Sequence, residues 1–290
     1  MSGTRLAPAL AALLLSAGGP PAAPGRAAPE AKAPPPAARP SDPAFTALEQ
    51  GLELAAFDGP SPAPGDGKIW ILRIDPRQFE LRLVNASASD ARPRTVRAWA
   101  VGAGAVAGIN AGMFQSDGLT AVGLMRTRVH QNNPRRSTRF KAVLAFDPLS
   151  GELPPVRILD AACGELEPAL GTYGSLVQSI RMVSCDRRNV WAADPKRWST
   201  AAVGVDGAGR ILFVHARSPW PVHDLVNALL ALPVDLRRAM YVEGGPEAQL
   251  FVRAGGREVE RLGLLEGTTE DRGGGLAWEI PNALVAVRRR

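Results

Sequence analysis

What most constrains this chain is a period-two pattern of short apolar runs cut by turn signals. In Phe79–Asn85 the residues Phe79, Leu81 and Leu83 alternate with Glu80 and Arg82, which marks a strand with one buried face. Lys68–Ile74 reads as a strand before it, and Asp75-Pro76 separates the two. Further strands are predicted at 140–146, 156–159, 240–242, 249–253 and 283–287. The segments 201–205 and 210–216 flank Asp206-Gly207-Ala208-Gly209 and read as a hairpin. A short helix is predicted at 95–100 and a clearer one at 222–232. In the latter Leu225, Leu229 and Leu232 share a face, Asp224 sits in the first turn and Pro233 ends it. Helices lying between hairpins, rather than in regular alternation with strands, predict an α+β fold: a strand-rich mixed sheet with a few helices.

The N-terminal region predicts export. One positive charge in 1–5 precedes a mostly apolar run at 6–19 and small residues at 20–28. That order matches a signal peptide over 1–28 and is too short for a membrane span; an untargeted Ala/Pro-rich leader is the alternative. No cysteine lies near the expected cleavage point, so no lipid anchor is expected. The Pro/Ala-rich stretch 29–44 has too few large apolar side chains to offset the entropy of ordering and reads as a linker. Residues 45–290 are enough for one domain, expected to be monomeric and either secreted or periplasmic. Cys163 and Cys185 suit one disulfide in an exported chain. It would close a loop of about 23 residues and contribute roughly 3 kcal/mol. Two free thiols in a chain that is never exported is the other reading.

The net charge is +6, and of 34 lysines and arginines only Lys32, Lys68, Lys141 and Lys196 are lysines. Arginine forms forked contacts to phosphate and carboxylate, so the balance suits an anionic ligand. It does not point to nucleic acid, because the one basic run is 288–290 and no binding module is present. His130, His215 and His223 lack metal-finger spacing with the two cysteines.

Four segments place polar residues inside strand-like sequence. In 109–114, Asn110 precedes Gly112 and either presents its amide to a pocket or serves a turn. In 175–182, Gln178 and Arg181 lie three apart, so a regular strand would send them to opposite faces; a bulge would unite them, and a purely structural pair is the alternative. In 217–224, His223 and Asp224 stand at a helix start beside Trp220. They could move a proton or bind a sugar, or Asp224 could simply cap the helix. In 241–247, Glu243 ends a strand, Gly244 and Gly245 allow close approach, and Glu247 supplies a second acid. Glycoside hydrolysis commonly uses two carboxylates at a controlled distance, while a Gly-Gly turn between strands is the plain alternative.

Taken in order, these segments resemble the phosphodiester glycosidase family. Its enzymes include the one that removes N-acetylglucosamine from phosphodiester-capped mannose 6-phosphate, and its bacterial relatives are linked to exopolysaccharide. Residues 109–114 are similar to the family's Asn-Gly-Gly-x-Phe, with Ala111 for one glycine, and Gly123-Leu124 to its next glycine-containing strand. Residues 177–181 resemble Val-Gln-Ser-x-Pro-Arg with one position lost and no proline. Residues 199–205 and 209–213 resemble Arg-Thr-Ala-Ile-Gly-Ile and its hairpin, and 281–285 resemble Pro-Asn-x-Leu. Residues 241–250 resemble Leu-Asp-Gly-Gly-Gly-Ser, with Glu243 for Asp, Pro246 for the third glycine and Glu247 for serine. The family's arginine is replaced by Thr200, with Arg197 nearby.

The resemblance implies hydrolysis at an anomeric carbon bonded to phosphate or to another acidic glycan. Arg181 would bind the anion, while Asn110 and Gln178 would orient sugar hydroxyls. Glu243 would act as acid, base or metal ligand, with Glu247, Gly244 and Gly245 beside the substrate and His223 and Asp224 as further catalytic candidates. The resemblance fixes no cofactor, and a divalent cation on Glu243 and Glu247 stays open. The expected partner is a glycan or sugar-phosphodiester. A non-catalytic glycan-binding envelope protein is the rival reading. Cleavage at the P–O bond fits three histidines poorly.

Overall fold

The computed structural model describes residues 44–264 and 277–290. The expected leader over 1–28, and the 29–44 linker up to residue 43, lie outside the described residues. In chain order the first strands are β1 (Thr46–Glu49), β2 (Leu52–Asp58), β3 (Lys68–Ile74), β4 (Phe79–Asn85), β5 (Ala107–Asn110), β6 (Met125–Arg126), β7 (Gln131–Asn133) and β8 (Ala142–Pro148). There follow β9 (Val156–Asp160), β10 (Tyr173–Val183), β11 (Trp198–Asp206), β12 (Ile211–Trp220), β13 (Leu236–Gly244), β14 (Gln249–Ala254), β15 (Arg257–Leu262) and β16 (Asn282–Arg288). Among the described residues three α-helices accompany them: α1 (Val96–Gly102), α2 (Leu166–Ala169) and α3 (Val222–Ala231).

The α+β, strand-rich reading holds, with the strands divided between two sheets. The larger runs β1-β2-β3-β12-β11-β13-β10-β6-β7, with β8 on β10 and β9 on β8; the smaller runs β15-β14-β5-β16-β4. Where a mixed sheet was expected, each pairing between these strands is antiparallel. The reason is local: hairpins such as β11–β12 keep reversing the chain. Strands β3 and β4 are consecutive in sequence, but the corner at Asp75 sends them to different sheets. There the Asp75 carboxylate accepts from the Arg77 guanidinium at 2.6 Å.

The period-two pattern of β4 does what it predicts. Phe79, Leu81 and Leu83 enter the core between the sheets, where they meet Leu54, Leu72, Val203, Phe213, Val242, Leu250 and Leu284. The outer face of each sheet carries a helix. Helix α1 starts at Thr95, whose hydroxyl accepts from Ala98 N, and buries Val96, Trp99 and Ala100 against Phe251, Ala283 and Val285. Helix α3 buries Val222, Leu225, Val226 and Leu229 over Leu212, Val214 and Tyr241. Val226 thus completes the apolar face, and the predicted Leu232 is the half-buried C-cap. Asp224 does not cap α3: the N-cap is Pro221, with no side-chain cap bond.

Helix α3 also sets the position of the site. It joins β12 to β13, which pair antiparallel to opposite sides of β11. The C-terminal ends of β12 and β13 therefore lie at one edge, beside the start of β11. Cys163 and Cys185 form a disulfide at the end of β9. Among the described residues no helix is long and apolar enough to cross a membrane.

Candidate active site at a fork in the larger sheet

The larger sheet does not stay closed along its length. Strand β10 pairs with β13 from Ile180↔Tyr241 to Val183↔Ala239. Before Ile180 its partners are β8 and β6. Past Tyr241, that edge of β13 has no strand partner among the described residues. The chain leaving β5 passes there, and a Cβ on Gly112 would sit 3.9 Å from the Val242 carbonyl oxygen.

Strand β13 is bulged at the same point. Ala201 pairs with Glu243 but Ala202 pairs with Tyr241, so Val242 is an extra residue. A bulge bends its strand and re-aims side chains, and bulges recur beside active sites. Tyr241 packs under α3 and Val242 enters the inter-sheet core. Glu243 is delivered to the opening. The next two residues favour glycine: a Cβ on Gly244 would run into Tyr241 Oη, Trp198 Cδ1 and the Ser199 carbonyl, and Gly245 has φ +63°. A Cβ on Gly263, which packs there, would strike the Gly245 carbonyl.

The electrostatics follow from this crowding. Burial pushes the Glu243 carboxyl up from 4.5 to about 7; the Gly244 N–H that it accepts at 3.1 Å opposes the shift, and the Glu247 charge adds to it. Glu247 is raised as well, chiefly by burial. The Tyr241 hydroxyl is raised by burial and then by the Glu243 charge, so it stays neutral. A carboxylic acid titrating near neutrality beside a neutral phenol can give or take a proton at ordinary pH.

Asn110 ends β5 with 1% of its surface exposed. Its Oδ1 accepts from Gln249 N at 3.1 Å, while its buried Nδ2 has no hydrogen-bond partner. Across the end of the smaller sheet, Asn85 Nδ2 donates to Asn282 Oδ1 at 2.7 Å, and Asn282 Nδ2 is likewise without a partner. These are spare donors in a buried place.

The side chains of the other candidates are engaged by partners other than Glu243. Gln178 was expected to orient sugar hydroxyls, but its Oε1 accepts from Leu124 N and Ser137 N while its Nε2 donates to the Ser137 and Phe140 carbonyls. That uses all four positions of the amide. Arg181 was expected to bind the anion, but its Nη1 lies 2.8 and 2.7 Å from the two oxygens of buried Asp160, which also accepts from Ala162 N and Cys185 N. His223 is partly exposed and faces Asp224 and Asn227 rather than Glu243. For a metal, the only group of three or more ligand types among the described residues is Asp160 with Cys163 and Cys185, and both sulfurs are spent in the disulfide. Glu243 and Glu247 alone are a sparse set for a hard cation, which takes six or more oxygens.

Sequence reasoning passed over Tyr241, Asn282 and His215 as site residues. Tyr241 stood two residues before Glu243, but the burial that sets its hydroxyl against the Glu243 charge leaves no mark in a single sequence. His215 lies in an apolar run, where a lone histidine reads as core.

Fold and site together define a two-sheet α+β protein with a proton-holding carboxyl at a sheet fork. The phosphodiester glycosidase family model matches residues 103–287, and the chain belongs to that family. A solved structure similar to it is the catalytic domain of zebrafish N-acetylglucosamine-1-phosphodiester alpha-N-acetylglucosaminidase, auto-inhibited by its pro-peptide. The TM-score is 0.58 at 12% identity, over 84% of this chain and 86% of that one. A hypothetical protein from Synechocystis is also similar, with TM-score 0.58 and 12% identity, over 83% of this chain and 62% of the other. At such identity these likenesses speak to fold. No curated protein matches the chain.

Proposed function

We propose that this chain is an exported glycosidase that cleaves a sugar from phosphate or from another acidic glycan. The observation that carries the reading is Glu243: a carboxyl raised to about 7, at the fork of a phosphodiester glycosidase fold. Below that pH Glu243 holds a proton for the departing glycosidic oxygen, and Glu247 is the second carboxylate of the pair. A phosphate leaving group needs little protonation, so a single buried acid suffices for it. Asn110 Nδ2 supplies a donor for a sugar hydroxyl, and Gly244 and Gly245 let the ring approach. Gln178 and Arg181 support this site through the fold rather than by touching substrate. The export reading draws on the leader pattern of 1–28 and on the disulfide, which belongs in an oxidising compartment.

The test incubates the purified chain with sugar phosphodiesters and acidic polysaccharides, with and without chelator, and follows release of reducing sugar. Release that Glu243→Gln abolishes supports the proposal. Saturable binding without release from any member leaves a glycan-binding protein instead. Chelator-sensitive release would require metal chemistry that Glu243 and Glu247 alone do not provide.

A further inference from the structure

With Arg181 committed to Asp160, the anion of an acidic substrate needs another partner, and one stands between the sheets near the fork. Arg261 lies at the end of β15 with its guanidinium carbon 3.8 Å from the centre of the Trp70 ring. Its Nε is buried and has no hydrogen-bond partner. The carboxylate that attracts it, Asp66, already accepts from Trp70 Nε1 at 2.8 Å and from Lys68 N at 3.1 Å. Burial and the neighbouring Arg217 charge both lower the Arg261 pKa. The Arg261 Nε thus keeps a donor to spare for an incoming anion.

His215 completes the chemistry. It is fully buried, and its Nε2 lies 3.1 Å from the Ala248 carbonyl, so Nε2 carries the proton and donates. Burial holds the ring neutral, with its pKa lowered to about 4. Nδ1 is then a bare acceptor, and it has no partner. A buried acceptor beside a spare cationic donor matches a hydroxyl next to an oxyanion, as on a phosphorylated sugar or a sugar acid.

The place is tied to the fork in two ways. Ala201 is the cross-strand partner of both His215 and Glu243. Two strand spacings, about 10 Å, therefore separate their backbones. On the other side, Gly263 follows Arg261 by two residues and packs against the Gly245 carbonyl. We propose that Arg261, held flat on Trp70, and His215 Nδ1 form an oxyanion-and-hydroxyl subsite for the acidic sugar that Glu243 acts on. This rests on the glycosidase reading for its substrate but not for its binding chemistry.

Calorimetry on the full chain with inorganic phosphate, glucuronate and glucose tests it. One of the two anions binds, glucose binds more weakly, and Arg261→Gln weakens the anion about tenfold or more. Which anion binds tells phosphate-bearing from carboxylate-bearing substrates. Arg261→Lys keeps the charge without the planar fork and should bind at an intermediate level; it also serves if the Gln variant fails to fold. Arg188→Gln, at an exposed arginine, leaves binding unchanged. Anion binding that ignores Arg261, or no preference for anions over glucose, overturns the subsite. Arg261-dependent binding in a chain that turns over no substrate would keep the subsite and refute the glycosidase. Turnover whose KM is unmoved by Arg261→Gln would do the reverse.

Discussion

Around Gln178 and Arg181 both of these side chains are matched to partners, with Ser179 Oγ between them the one buried atom left over, whereas at the fork around Glu243 several are left over. Gln178 is 5% exposed and Asn110 is 1% exposed, so both amides are hidden from bulk water. All four positions of the Gln178 amide are bonded to backbone, while Asn110 Nδ2 is bonded to nothing. Arg181 has its carboxylate, but Arg261 Nε has no acceptor. Unmatched buried groups cost stability. A fold that keeps them in one place is keeping capacity for a ligand, and a fold that satisfies them is using them as structure. Residue type alone did not separate the two regions, because both carry the amides and arginines that a sugar site would use.

The largest effect that sharpens this contrast is on turnover. Glu243→Gln should lower kcat by about 10²–10⁴-fold, the usual contribution of a positioned acid, and leave glucuronate or phosphate affinity nearly unchanged. Next comes the satisfied region. Asp160→Ala strands the Arg181 charge and removes acceptors from Ala162 N and Cys185 N. It should cost about 3 kcal/mol in a urea titration. Variant that still folds should turn over substrate like the parent. If Asp160→Ala instead abolishes turnover at unchanged stability, Arg181 belongs to the site and the contrast fails.

Much of this division was legible and part was not, for physical reasons. The strand pattern, the β11–β12 hairpin and both longer helices follow from local periodicity and turn chemistry, which a sequence carries directly. The splitting of β3 and β4 between two sheets does not, since Asp75-Pro76 breaks a strand equally well in a hairpin or at a corner. Glu243 was singled out because a carboxylate ending a strand before two glycines can be approached closely. Its bulge depends on register against β11, and the engagement of Gln178 depends on loops 124 and 137–140 meeting it from elsewhere in the chain. Arg261 sits among Arg257, Glu258 and Glu260, and nothing in that charged segment marks it out. Only the stacking on Trp70, from the other sheet, sets it apart.

A smaller effect appears in the pH dependence of stability, where two fork residues act in opposite senses. Glu243 rises from 4.5 to about 7 on folding, so the folded chain holds the extra proton. That contribution is complete below about pH 4.5 and is lost as pH rises through 7. His215 falls from 6.5 to about 4, so its contribution is complete above pH 6.5 and is lost as pH falls through 4. The His215 shift corresponds to about 3 kcal/mol, and the Glu243 shift to about 2–3 kcal/mol once its partial exposure is discounted. At pH 8 Glu243→Gln should therefore be more stable than the parent by about 2 kcal/mol, with the gap closing toward pH 4.5. Denaturant midpoints taken at pH 4.5, 6 and 8 would reveal it. A gap that does not change with pH would mean that Glu243 is as hydrated as an ordinary surface acid, and the fork would lose its acid.

The smallest effect concerns the one candidate pair that the fold leaves in solvent. His223 stands in the first turn of α3, one third exposed, with Asp224 at 3.5 Å and Asn227 at 3.4 Å. Neither bond is short enough to hold the ring, and the backbone carbonyl that accepts from Asn189 persists with any side chain. His223→Ala should shift stability by less than about 0.5 kcal/mol, as surface changes do, and leave both kcat and its pH profile in place. A loss of one limb of that profile in His223→Ala would move the proton relay from the fork to the start of α3. The contrast would then lie between a buried acid that binds and an exposed histidine that reacts.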